Sequence, residues 1–131
     1  MEIRKYQREL DEEKLMDMIR GEGEDWSCYW AGEANARYRK ALENSITYVA
    51  YDDGEICGYS RSIHDNGFYI YVCDLLVRES SRGKGRGRIL MESIYKDHPS
   101  ATVYVMSDVD GYYKTLGYHR EGSVFEVSKP Y

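Results

Sequence analysis

Apolar residues along this chain repeat with two different periods, and the changes between them mark out the elements. Residues 2–7 read as a first strand. Leu10, Leu15, Met18 and Ile19 then recur at roughly helical spacing, so residues 9–20 read as an amphipathic helix that Gly21-Glu22-Gly23 ends. Asp25 to Asn44 reads as a second helical stretch carrying Trp26, Tyr29, Trp30, Tyr38 and Leu42. From Ile46 to Tyr51 the residues are β-branched and aromatic, the composition of a strand. Asp52-Asp53-Gly54 is a hairpin signal, with Glu55 to Ile63 as the returning strand. Asp65-Asn66-Gly67 is a second hairpin signal and leads into a strand over Phe68–Val77.

The second half of the chain reads differently. Gly87 to Lys96 is helical, with Leu90 and Ile94 stacked one turn apart, and Pro99-Ser100 breaks it. Ala101 to Met106 alternates as a strand. Ser107 offers an N-cap to a short helix over Val109–Leu116, with Asp110 three residues on, and Gly117 closes it. Tyr118 to Val127 returns as one or two strands. Hairpin-joined strands followed by crossover helices predict an α/β fold of about six to seven strands. Its mixed sheet has antiparallel hairpins first, a parallel pair later and helices on both faces.

Length and charge narrow the function. A chain of 131 residues suits a single domain over 1–131 with one substantial core. The balance of 18 Lys+Arg against 23 Asp+Glu, net −5, argues against general nucleic-acid binding. Cys28, Cys57 and Cys73 are odd in number and far apart, with no Cys/His cluster. Neither a disulfide framework nor a metal site is expected, and a reducing cytoplasm is the simple reading. Met1 opens directly on a charged sequence and no apolar run approaches membrane-spanning length, so no membrane partner is expected.

Against that acidic background, Arg78, Arg82, Lys84, Arg86 and Arg88 cluster. They surround Gly83-x-Gly85-x-Gly87, placed between a strand ending at Val77 and a helix. A glycine-rich turn opening a helix exposes backbone N–H groups at the positive end of the helix dipole, which suits phosphate or pyrophosphate. Neither a Walker A loop nor a dinucleotide fingerprint has this spacing. Read alone, the turn also fits a basic surface loop that merely starts a helix.

Leu76-Val77-Arg78-Glu79-Ser80-Ser81-Arg82-Gly83-Lys84-Gly85-Arg86-Gly87 resembles the first motif of the GNAT superfamily of N-acetyltransferases, with Arg82, Gly85 and Gly87 at its defining positions. Tyr112-Tyr113-Lys114-Thr115-Leu116-Gly117-Tyr118 resembles the family's second motif. The resemblance covers about residues 46–127, and the first 45 residues match in element order only. It implies a parallel strand pair at a cofactor cleft, acetyl-CoA as co-substrate and direct attack by an amine, without a nucleophilic side chain. The strand end Leu75-Leu76-Val77 would meet the cofactor, the backbone of Leu75 and Val77 pairing with its pantetheine arm and a bulge near Asp74–Leu76 opening the way.

The resemblance further assigns the pyrophosphate to the backbone of Gly83 to Arg88, with charge from Arg82, Lys84, Arg86 or Arg88. Tyr113 fills the position of the proton donor to the leaving thiolate, while Tyr112 is expected to face the core. Asp74 is the candidate carboxylate for deprotonating the amine through a water. Glu22, Glu24 and Asp25 could attract a cationic amine, and Trp26, Tyr29 and Trp30 could wall the acceptor or simply fill the core. Met106 stands where many family members carry Asn. A small cationic amine is the favoured acceptor, and a homodimer through Val124 to Val127 is left open. The alternative function is a catalytically idle acyl-CoA-binding sensor.

Overall fold

A computed structural model describes residues 1–130. Five strands form one mixed sheet in sequence order: β1 (Glu2–Lys5), β2 (Ile46–Asp52), β3 (Glu55–His64), β4 (Tyr69–Val77) and β5 (Thr102–Val105). The first three pairings are antiparallel and β4–β5 is parallel. Both hairpin signals form their turns. Asp53 and Gly54 sit at φ 50° and 81°, the left-handed pair that matches the strands' twist.

Helices cover both faces, as the pattern predicts. On one face lie α1 (Arg8–Arg20), a 3₁₀ turn (Gly23–Trp26), α2 (Ser27–Trp30) and α3 (Ala34–Asn44). Leu15, Met16, Ile19, Tyr38 and Leu42 from these helices pack on Val49, Tyr51, Tyr59 and Leu76 of the sheet. On the other face, Leu90 and Met91 of α4 (Arg86–Glu92) and Ile94 of α5 (Ile94–Asp97) pack on Tyr48, Ala50, Ile70 and Val72. Each fully buried Leu or Ile stabilises the fold by about 1.5–3 kcal/mol relative to an exposed one.

The structure corrects several expectations. The helical stretch over 25–44 is broken at Ala31-Gly32-Glu33, where Gly32 takes φ +55°. The helix over 87–96 begins at Arg86 and is interrupted at Ser93, whose hydroxyl and backbone N–H both donate to the Ile89 carbonyl. Ser107 does not cap α6 (Asp110–Thr115). Its oxygen accepts from the Val109 N–H, closing a local turn before the helix. Gly117 does end α6 as expected, with Tyr118 N–H donating back to the Tyr113 carbonyl.

The strands expected over Tyr118–Val127 are absent, so the sheet has five strands rather than six or seven. Val124, Phe125 and Val127 are 75%, 85% and 88% exposed. This β-prone run spans only four residues between Gly122-Ser123 and Ser128-Lys129-Pro130, and a strand exists only where a neighbour accepts its hydrogen bonds. The pairing of two chains through Val124–Val127 therefore has no preformed strand to use.

Among the described residues, no helix is long and apolar enough to cross a membrane, and no group of three or more His, Cys, Asp or Glu is placed to hold a metal. Cys28, Cys57 and Cys73 are all unpaired.

Candidate active site

The sheet splits at its parallel pair. β5 accompanies β4 only from Tyr69 to Val72, and the Met106 N–H makes a last bond to the Val72 carbonyl at 3.1 Å. From Cys73 to Val77 no strand borders β4 on that side among the described residues. Backbone left bare inside a sheet is available to a ligand that can pair like a strand.

Cys73 is also a bulge. Arg61 pairs with Asp74 and Ser62 with Val72, leaving Cys73 extra in β4. The insertion inverts the alternation. Ile70 and Val72 face α4, whereas Leu76 faces α1 and α3, although all three are even-numbered. Asp74 is carried onto the α1–α3 face with Leu76. The bulge expected near Asp74–Leu76 thus lies one residue earlier, and it decides which side Asp74 serves.

Asp74 is 5% exposed and held by three donors. Tyr29 Oη donates to Oδ1 at 3.1 Å, Tyr38 Oη to Oδ2 at 2.7 Å, and Arg61 Nε to Oδ2 at 2.5 Å. Tyr38 also bonds Tyr59 Oη at 2.6 Å. Burial, together with the neighbouring Asp74 carboxylate, keeps the Tyr38 and Tyr59 phenols protonated far above the ordinary tyrosine range. The sequence singles out Asp74 and Tyr29, but does not place Tyr38, Tyr59 and Arg61 around the carboxylate. Arg61, a lone cation between Ser60 and Ser62 in an otherwise buried strand, was the available signal.

On the opposite face, the turn after Val77 folds as a tight loop. Gly83 and Gly85 take φ +80° and +76°, a conformation a side chain would strain. Gly87 opens α4 at a crowded point. A Cβ there would stand 2.9 Å from Tyr112 Oη, 3.6 Å from Leu75 Cδ2 and 3.7 Å from Val77 Cγ2. The strand end, the glycine turn and the second tyrosine motif therefore converge on one residue.

The tyrosines of α6 are arranged differently from expectation. Tyr112 is 41% exposed and reaches Gly87 with its hydroxyl, so it does not face the core. Tyr113 is half-buried against the α4-face core, stacked 6.4 Å from Tyr118 and edge-on to Tyr112. The two point about 100° apart because they are adjacent on a helix. Burial first, then Tyr112, Asp108 and Tyr118, pushes the Tyr113 phenol up to about 12.

The basic residues of the turn are not equivalent. Arg82 donates to the Val77 carbonyl and to Glu22, both at 2.8 Å, tying the turn to the loop after α1. Arg86 is ion-paired with Asp52 and largely buried. Arg88 pairs with Glu92 on its own helix at 3.0 Å. Lys84 is exposed and makes no ion pair among the described residues. Trp26, Tyr29 and Trp30 pack against the α1-face core. An open groove of about 1050 Å³ runs between α1, Gly54–Ile56 and Arg78–Ser80, but neither Tyr113 nor Asp74 lines it.

A family model for the GNAT acetyltransferase domain matches residues 43–120. An uncharacterized N-acetyltransferase, ycf52 of Porphyra purpurea, is 25% identical over 105 residues, covering 72% of this chain and 60% of that protein. Its counterpart in Gracilaria tenuistipitata var. liui is 25% identical over 118 residues, covering 82% of this chain and 60% of that protein. The chain thus spans 60% of the length of these curated relatives.

Among solved structures, an aminoglycoside acetyltransferase from an uncultured soil metagenomic sample has a TM-score of 0.74 at 22% identity, covering 98% of this chain and 97% of that one. A ribosomal-protein-alanine N-acetyltransferase from Brucella melitensis biovar Abortus 2308 has a TM-score of 0.73 at 14% identity, covering 98% and 100%. A GNAT family protein from Streptococcus pneumoniae TIGR4 has a TM-score of 0.69 at 23% identity, covering 98% of both chains. At these identities the likeness is one of fold.

Proposed function

The chain belongs to the GNAT acetyltransferase family, and on that premise we propose that it moves the acetyl group of acetyl-CoA directly onto a primary amine of a small cationic acceptor. Residues 1–131 act as one acetyltransferase domain in this reading. The observation that carries it is the convergence at Gly87 of Leu75, Val77 and Tyr112, beside a stretch of β4 that no strand borders. A cofactor with an amide-bearing arm and a diphosphate needs these two features side by side.

The residues present suit acetyl-CoA. The cofactor would supply an activated thioester. The bare edge Leu75-Leu76-Val77 offers backbone groups to its arm. The turn from Gly83 through Gly85 and Gly87 to Arg88 offers N–H groups to its diphosphate, without side chains in the way. Arg82 and Arg86 hold the turn in place through Val77, Glu22 and Asp52, which leaves Lys84 and Arg88 as the cations nearest to free.

Tyr113 carries a proton held at its hydroxyl well past neutral pH, as a donor to a leaving thiolate must. Asp74 is the carboxylate on the acceptor's side. The excess of Asp and Glu favours a cationic acceptor. Two neighbours of the same fold are named for different acceptors, an aminoglycoside and a ribosomal-protein alanine, so the acceptor itself is a matter for screening.

Calorimetric titration with acetyl-CoA, with ATP and NAD as controls, tests the reading. Micromolar binding of acetyl-CoA alone supports it and justifies an amine screen followed by thiol release. Equal binding of ATP, or none of acetyl-CoA, would remove the cofactor site and the transferase reading with it.

A further inference from the structure

We propose that Tyr29 is the group that receives the acceptor's nitrogen, its hydroxyl oxygen accepting a hydrogen bond from the amine while its O–H donates a hydrogen bond to Asp74. The proposal rests on the transferase reading above and adds a residue to it. Its ground is the route from solvent to Asp74. The carboxylate is 5% exposed, and its donors are Tyr29, Tyr38 and Arg61, with Tyr59 behind Tyr38. Tyr38 is 6% exposed and Tyr59 is fully buried, so neither meets a ligand.

Only Tyr29 and Arg61 of this group reach the surface in part. Arg61 is a cation already spending donors on Asp74 and Ser45, so it repels an ammonium and has no lone pair to offer an amine. Tyr29 is complementary in both respects. A phenol that donates to a carboxylate keeps its own oxygen lone pairs for an incoming N–H, and the carboxylate enriches that oxygen electronically. Its ring is wedged between Tyr38 (4.6 Å between centroids) and Trp26 (5.5 Å), which fixes the hydroxyl in place. Asp74 follows immediately on the Cys73 bulge, where the bare edge of β4 begins.

The test is steady-state kinetics of wild type and Tyr29→Phe, with spermidine, glycinamide and an alanyl tripeptide as amines and thiol release as readout. Phe keeps the stacked ring and removes only the hydroxyl. The expected result is a KM for the amine raised about tenfold, the loss of one hydrogen bond, with acetyl-CoA affinity and melting temperature unchanged. An unchanged kcat/KM would overturn the proposal. So would a parallel loss of acetyl-CoA binding, which marks a packing effect, or a fall in kcat alone. A wild type that acetylates none of the three amines would defeat the transferase reading itself, and Tyr29's role with it; that outcome is distinguished by the absence of wild-type turnover.

Discussion

The hydroxyl of Tyr112 lies 2.9 Å from where a Cβ would stand on Gly87, so the exposed tyrosine of α6 and the first turn of α4 meet with no room for a methyl group. The contact joins two motifs 25 positions apart in the chain. It also explains why Tyr112 is the tyrosine turned outward while Tyr113 packs inward.

Gly87→Ala should change stability by less than about 1 kcal/mol, because the atom it meets is the tip of a part-exposed tyrosine that can swing aside and Ala is the better helix former. Tyr112→Phe removes that oxygen, so the double variant should be more stable than the sum of the single variants predicts. Thermal melts of the two single variants and the double variant check it; strict additivity would mean that the two residues do not touch.

Lys84 and Arg86 should separate binding from stability. Lys84→Ala is expected to leave the melting temperature unchanged and weaken acetyl-CoA several-fold, with a shallower salt dependence. Arg86→Ala strands Asp52 and should cost about 1–2 kcal/mol of stability. Calorimetry at two salt concentrations alongside urea unfolding distinguishes these outcomes.

Tyr113→Phe should lower kcat by about a hundredfold while acetyl-CoA affinity is retained, because a positioned proton donor contributes at least that much. Thiol-release kinetics read the first quantity and calorimetry the second. Full activity in the variant would exclude Tyr113 as the donor.

The same tyrosine predicts the alkaline behaviour. Its folded-state value of about 12 lies above the ordinary 10, so the native state holds the proton more tightly than the unfolded chain. That contribution is complete below pH 10 and is lost as pH rises from 10 towards 12. Melting temperature should fall less steeply over this window in Tyr113→Phe than in wild type.

Tyr38→Phe should destabilise by about 2 kcal/mol, since it leaves the buried Tyr59 hydroxyl without a partner and takes one donor from Asp74. Urea unfolding measures the loss. A neutral result would mean that water already reaches this cluster.

Much of this architecture was readable from local pattern. The turn residues Asp53-Gly54 and Asn66-Gly67 mark the hairpins because few residues accept left-handed backbone cheaply. Gly83, Gly85 and Gly87 mark the loop for the same reason and for close approach. The apolar spacing of residues 9–20 marked α1 to within one residue. The Tyr118–Val127 segment misled because β-branched and aromatic residues record a preference for strand, while the partner that makes a strand is elsewhere in the chain.

By itself, then, the sequence determined the order of the strands and main helices as far as α6, the hairpins, the glycine turn and the family, all properties of short stretches with their own conformational or chemical signature. Only the tertiary structure decided which side of the sheet each residue serves. A single extra residue at Cys73 turns Asp74 away from Val72's face and towards Tyr29, Tyr38 and Arg61. The angular offset on α6 likewise sends Tyr112 to Gly87 and Tyr113 to the core. Both follow from register and packing between distant segments, which a linear pattern does not encode.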